Sequence, residues 1–181
     1  MSKKISRNIG IITKARKFIK TQTLTNLHYT FIYPYLSYCC LIWGHACATY
    51  LNKLLILQKR IMRVIHGTHR LHPSRILFLK SGILNICKIQ KLQLGIFWQK
   101  FNLGKLPLSF RGYIRTVGEV HNHFTRSSDL FYLVKSRTTI GDNCFWYKAP
   151  LYWNTLLPII RNTQTLKHLK KKLVSLLLQE P

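Results

Sequence analysis

The sequence predicts a mainly α protein, and three observations predict it. Apolar residues recur at helical spacing along most of the chain, Gly and Pro stand where those periods stop, and amphipathic basic stretches occupy both ends. With 181 residues and 47% hydrophobic content, the chain has ample apolar surface for a core in one domain, or one domain with a tail.

Ile5, Ile9, Ile12 and Ile19 predict an amphipathic helix over residues 4–20, with Lys14, Arg16, Lys17 and Lys20 on its wet side. Residues 24–33 continue helical. Pro34 forces a kink or a restart, and residues 35–43 read as a second apolar helix closed by Gly44, with both helices in the core. No charged residue occurs from Thr21 through Asn52, which raises the question of a membrane span. Thr21, Gln22, Thr23, Thr25, Asn26 and His28, the interruption at Pro34, and Tyr33, Tyr35, Ser37 and Tyr38 suit a buried helix better.

Leu51, Leu54, Leu55, Ile61, Met62 and Ile65 keep one apolar face through a long helix, with Lys53, Lys59, Arg60 and Arg63 off it and Gly67 at the C-cap position. His72-Pro73-Ser74 starts a short helix over 75–80 that Gly82 ends, and residues 86–101 return to helical spacing through Ile89, Leu92, Ile96 and Phe97. Leu106-Pro107 marks a boundary, which divides the chain into a helical domain, 1–107, and a second region, 108–181. Within the latter, residues 108–150 read as loops and short strands, with 130–134 and 144–147 as the strand candidates. The last helix covers about 165–178, with Leu166, Leu169, Leu173 and Leu177 on one face and Lys167, Lys170, Lys171 and Lys172 around it.

Against 29 Lys and Arg stand four acids, Glu119, Asp129, Asp142 and Glu180, for a net charge of +25. Most basic side chains therefore find no internal counter-charge. A polyanion relieves their mutual repulsion, with nucleic acid the first candidate and anionic membrane the second; charge that only aids solubility is the bland alternative. Cys39, Cys40, Cys47, Cys87 and Cys144 lack a disulfide-framework spacing, and the N-terminus has no early apolar run, so the expectation is a reduced, intracellular protein, nuclear or cytoplasmic.

Metal-dependent polymerases and most nucleases bring two or more carboxylates together, and here only Glu119 with Asp129 is a conceivable pair, more plainly read as loop hydrogen bonding. His121-Asn122-His123 are too close together for the nuclease site their letters suggest, and His123 reads as a loop residue. Cys39, Cys40, His45 and Cys47 lack a paired Cys-x-x-Cys knuckle, so buried free thiols are the default. His72, Ser74 and Asp129 have no triad context, and no glycine-rich phosphate loop follows a strand. The chain is thus expected to have no catalytic residues, metal site or cofactor of its own. What remains is electrostatic: Lys14, Arg16 and Lys17, then Lys59, Arg60 and Arg63, then Lys170, Lys171 and Lys172 are either phosphate-tracking surfaces or solvated helix faces.

Read as ordered blocks, the chain resembles the C-terminal end of the reverse transcriptase of non-LTR (LINE-type, jockey-like) retrotransposons. The blocks are Ile5-Ser6-Arg7-Asn8-Ile9-Gly10-Ile11, Ile32-Tyr33-Pro34-Tyr35-Leu36 with Tyr38-Cys39 and Trp43-Gly44, and Leu57-Gln58-Lys59-Arg60. Gln93-Leu94-Gly95-Ile96-Phe97, Leu106-Pro107, His123 with Thr125-Arg126, Ser136-Arg137-Thr138 with Gly141, and Trp153-Asn154 leading to Arg161-Asn162 complete the series. Two departures stand out: Ala149-Pro150 replaces the usual Gly-Pro, and Pro158 comes one position later than usual after Trp153-Asn154.

The resemblance implies a helical thumb-like bundle, the irregular region and a C-terminal helix, lying after a palm that carries the catalytic aspartates and a divalent metal, expected to be magnesium, in the parent RNA-directed DNA polymerase. No Asp-Asp occurs in this chain. The expectation is a truncated fragment without its own catalytic centre that holds template–primer RNA, DNA or hybrid by backbone phosphates, with the missing palm and fingers as a further partner. Lys59, Arg60 and Arg63 are the first nucleic-acid-binding candidates, then Lys14 and Lys17, with Arg126 and Arg137 as loop contacts; Tyr29, Tyr35 and Trp98 are assigned to packing. The alternative is a cationic membrane-associated protein with a buried or inserted segment near 21–43.

Overall fold

The computed structural model describes residues 1–110, 112–121, 125–134 and 136–180. Among them the chain is mainly α, with twelve α-helices, one 3-10 turn and no strand. It divides into two compact units: Met1–Gln90 together with the chain's end from Leu177, and Lys91–Leu176. Leu106-Pro107 lies within the second unit, between its first helix and the 3-10 turn.

In the first unit, α1 (Ser2–Ala15) buries Ile5, Ile9 and Ile12 and packs on α2 (Thr21–Phe31) and α5 (Ala48–His66). It stops five residues before its expected end at 20. Ile19 keeps the helical spacing, but the chain turns at Arg16 and closes that turn with Phe18 N–H donating to the Ala15 carbonyl. No Gly or Pro announces this turn. Asn8 fastens the next junction by donating from Nδ2 to the Phe31 carbonyl at 2.7 Å, which satisfies a free C-terminal acceptor of α2.

The expected apolar helix over 35–43 is two helices instead, α3 (Tyr33–Ser37) and α4 (Cys40–Trp43). Pro34 sits in the first turn of α3, where its missing N–H costs nothing, so it restarts the helix rather than kinking one. The second break falls at Tyr38-Cys39, with Cys39 left-handed at φ 49°, and Trp43 Nε1 donates to the freed Tyr38 carbonyl at 2.7 Å. Tyr38 and Ile42 face solvent, so this segment is only partly core. No helix among the described residues is long and apolar enough to cross a membrane.

α5 follows its pattern closely. Leu54, Ile61, Met62 and Ile65 are buried, and Gly67 ends the helix at φ +67°, a left-handed conformation that costs glycine nothing. Buried Gln58 lies on the same face, donating to the Leu84 carbonyl at 2.9 Å and accepting from Ile86 N–H at 2.8 Å. One side chain thereby satisfies a carbonyl of the link between α6 (Ser74–Ser81) and α7 (Ile86–Asn102) and the first N–H of α7. Both of these helices lie where the sequence put them, and Gly82 is the left-handed stop of α6.

His28 is the buried polar group of this unit that a sequence pattern does not explain. Its ring is fully buried edge-on to Tyr29, and neither nitrogen has a hydrogen-bond partner. Desolvation lowers its pKa from 6.5 to about 4. The folded imidazole therefore stays neutral while that of the unfolded chain takes up a proton as pH falls below 6.5. Its contribution to stability is intact above pH 6.5 and is lost progressively down to pH 4, by about 3 kcal/mol in all. Urea midpoints at pH 7 and pH 4.5 should differ more for the wild type than for His28→Phe; equal differences would refute the buried neutral ring.

The second unit contains the rest of α7, a 3-10 turn η1 (Leu108–Phe110), and helices α8 (Val117–Val120), α9 (Thr139–Asp142), α10 (Phe145–Thr155) and α11 (Pro158–Arg161), with most of α12 (Leu166–Gln179). The strand candidates do not form strands. Residues 130–134 supply one isolated antiparallel bridge, Phe131 to Thr116, and 144–147 are the start of α10 with Cys144 as its N-cap. The backbone pairing stops at that bridge, with Val117 N–H donating to the Leu130 carbonyl and Tyr132 N–H to the Arg115 carbonyl, and the backbone groups of Phe131 itself go to the Asn154 side chain. Its amide accepts from Phe131 N–H at 3.1 Å and donates to the Phe131 carbonyl at 2.9 Å.

Trp98 centres this unit's core, stacked on Phe131 and donating Nε1–H to the Ala149 carbonyl. Gly95 lets α12 approach α7, since a Cβ there would collide with Leu173. The two departures noted at Ala149-Pro150 and Pro158 are both accommodated. Pro150 is buried inside α10, and Pro158 opens α11.

Candidate functional site

Successive residues step about 100° around a helix, so the two long faces of α5 can be read from its numbering. Leu54, Gln58, Ile61, Met62 and Ile65 form the buried side. Ile56, Leu57, Arg60, Arg63 and Val64 form the opposite side and line a cleft of about 600 Å³ together with Arg16, Thr68 and Arg70. Four arginines thus converge from three stretches of chain: the turn after α1, the outer face of α5 and the loop after it.

Each stretch is fixed by a local interaction. Arg63 donates from Nε to the His72 carbonyl at 3.0 Å, which ties the 68–72 loop to α5. Arg16 lies against Gly67, so its guanidinium is held at the C-terminal end of α5, where the helix dipole is negative. The Thr68 hydroxyl is buried in the cleft wall without a hydrogen-bond partner. No Asp or Glu occurs before Glu119, so no acid comes from the segments that build the cleft. Four arginines beside the apolar Ile56, Leu57 and Val64, with charge of one sign, give this cleft the chemistry that an anion with several oxygens requires.

Gly67 serves both the helix stop and the cleft. A Cβ at this left-handed position is strained, and it would meet the Arg16 guanidinium. Gly67→Ala should therefore cost about 1 kcal/mol of stability and also weaken anion binding. Loss of stability with anion affinity intact would show that the position of Arg16 is unimportant.

The seven site residues expected from the sequence are distributed as follows. Arg60 and Arg63 line the arginine cleft. Lys59, one step further round α5, instead lines a second cleft of about 230 Å³ with Arg75 and Lys88, floored by Phe78 and Ile83. Lys88 is already engaged there through its Nζ donation to the Glu180 carbonyl at 2.8 Å. Lys14, at the end of α1, and Lys17, in the turn after it, are exposed and outside the arginine cleft; their neighbour Arg16 occupies that place. In the second unit, Arg126 is exposed in the turn after Thr125. Arg137 is exposed beside Thr138, whose side chain caps α9 through Gly141 N–H. His123 lies outside the described residues. Arg16 and Arg70 were missed as a set with Arg60 and Arg63 because they join the cleft only through the turn after α1 and the loop after α5.

The remaining candidates have local roles. Glu119 closes a capping box, with its carboxylate accepting from Thr116 N–H at 2.7 Å. Gln90 and His45 side chains pair at 3.1 Å beside Gly44, whose lack of a Cβ leaves room for Gln90. All five cysteines are free, and buried Cys40 has its thiol pushed up to about 11 by desolvation. No group of three or more His, Cys, Asp or Glu among the described residues is placed to hold a metal ion. Of the aromatic residues assigned to packing, Trp98 is buried, Tyr35 half-buried and Tyr29 exposed.

No protein-family model matches the chain, and neither a curated protein nor a solved structure is significantly similar to it.

Proposed function

We propose that this chain binds nucleic acid through backbone phosphates as the thumb and following region of a non-LTR retrotransposon reverse transcriptase, without a catalytic centre of its own. The observation that carries the binding half is the arginine cleft: four arginines lining one cleft, on segments that contain no acid. Arginine presents a planar fork that matches phosphate oxygens, and a duplex offers phosphates at regular intervals along its edge. The origin half rests on the ordered blocks of sequence. Their polar residues Asn8, Gln58 and Asn154 all make internal backbone hydrogen bonds, so in this chain these residues hold the fold rather than face a ligand.

Phosphate binding of this kind releases counter-ions. Affinity for an RNA–DNA hybrid should therefore fall linearly on logarithmic axes as salt rises, and equally for hybrids of unrelated sequence. Affinity that barely changes between low and moderate salt would remove the proposal. Binding to anionic liposomes as tight as binding to hybrid would favour the membrane alternative.

A further inference from the structure

We propose that Tyr113 and Trp146 form a stacking platform for an unpaired nucleobase of single-stranded RNA or DNA. The inference rests on the nucleic-acid reading above and adds to it a second mode of contact, through base faces, in the second unit.

The two rings stack on each other at 5.4 Å between centroids with 29° between their planes. Both are open to solvent, Tyr113 to 75% and Trp146 to 42%. The pair is held from behind by a series of rings. Trp146 meets Phe110 at 6.2 Å and Phe145 at 5.3 Å, and both phenylalanines meet buried Phe97, at 5.7 Å and 5.1 Å. Phe97 in turn packs edge-on to Trp98 at the centre of the unit. The outer rings are therefore the exposed end of an aromatic column rooted in the core, which fixes Trp146 in orientation before any ligand arrives.

Two large rings left in water forgo the hydrophobic stabilisation that burial would give them. A ligand that covers the open ring recovers it, and preorganisation reduces the entropy cost of doing so. Charge identifies the ligand class. A chain of net charge +25 gathers polyanions at its surface, and a nucleobase is the flat π-system that a polyanion carries. Exposed Arg115, two residues from Tyr113, adds a cation to the same stretch of chain. Bases in a duplex are already stacked on one another, so the platform selects unpaired ones.

The test compares a labelled single strand of about 15 nucleotides, oligo(dT) or oligo(U), with an RNA–DNA hybrid of the same length, using fluorescence anisotropy at matched salt. Tyr113→Ala should weaken single-strand binding about tenfold while leaving hybrid affinity and the salt slope of both ligands unchanged. Tyr113→Phe and Trp146→Phe, which keep a flat ring, should bind the single strand nearly as the wild type does. Tyr113 is a surface residue, so its substitution stays informative even where Trp146→Ala disturbs folding. Wild-type affinity of Tyr113→Ala for the single strand, or an equal loss for both ligands, overturns the platform. So does conversion of a self-associated protein into a monomer by Tyr113→Ala, which would assign the rings to a protein interface. If the wild type binds neither ligand, the nucleic-acid reading itself fails; if it binds both and only the Tyr113→Ala comparison fails, that reading stands.

Discussion

Replacing Arg16, Arg60 and Arg70 together with glutamine should lower affinity for an RNA–DNA hybrid on the order of a hundredfold at moderate salt and reduce the salt slope by about 3. The slope is the sharper readout, because it counts phosphates neutralised rather than total binding energy. Arg63 is left in place, since its bond to the His72 carbonyl also holds the loop that carries Arg70. The matched comparison replaces Lys3, Lys4 and Lys80, which carry the same total charge, lie on exposed helix surfaces and do not line the cleft. An equal loss of slope in that variant would mean that diffuse charge binds the nucleic acid and that the cleft has no special part in it.

The largest effect on stability is expected at Trp98. This side chain is fully buried, stacks on Phe131 at 4.2 Å and donates to the Ala149 carbonyl at 2.8 Å. Trp98→Ala removes the ring, leaves a cavity between α7 and α10 within the second unit, and removes the indole's hydrogen bond to the Ala149 carbonyl. Together these should cost about 3–5 kcal/mol. Trp98→Phe keeps most of the ring and loses the N–H, so it should cost about 1–2 kcal/mol. Urea titration checks both, and a loss below about 1 kcal/mol for Trp98→Ala would show that the column is not the centre of this unit.

Where the chain states its intention through period and a stop residue, the helix is where the sequence puts it. α5 with Gly67, α6 with Gly82, and α7 with Ile89, Leu92 and Phe97 are of this kind. The misplaced boundaries share one cause. At Arg16–Phe18 and at Tyr38-Cys39 the chain turns without Gly or Pro; the first turn is closed by a local backbone bond from Phe18 to Ala15, and the second gives the Tyr38 carbonyl to the Trp43 indole. A periodicity reading runs through such turns because nothing local opposes the helix.

The expected strands failed for the complementary reason. Residues 130–134 have the apolar character of a strand, but a strand also needs a neighbour along its length. Pairing with residues 115–117 is confined to Leu130 and Tyr132, and the Asn154 amide takes both backbone groups of Phe131, so no ladder extends from the single bridge. The binding residues follow the same division. Arg60 and Arg63 could be picked out because they lie on the wet face of a readable helix. Lys59 belongs to the same basic run yet turns to a different cleft, because a single step around α5 moves a side chain by about 100°.

The sequence by itself determined the mainly α class, the acid-free basic character of the first 118 residues and the helices that end in glycine, because period, charge and backbone freedom are local properties. Only the tertiary structure decided which cations meet. Arg16 and Arg70 join Arg60 and Arg63 through the turn after α1 and the loop after α5, and convergence in space is set by how those segments pack rather than by their spacing along the chain.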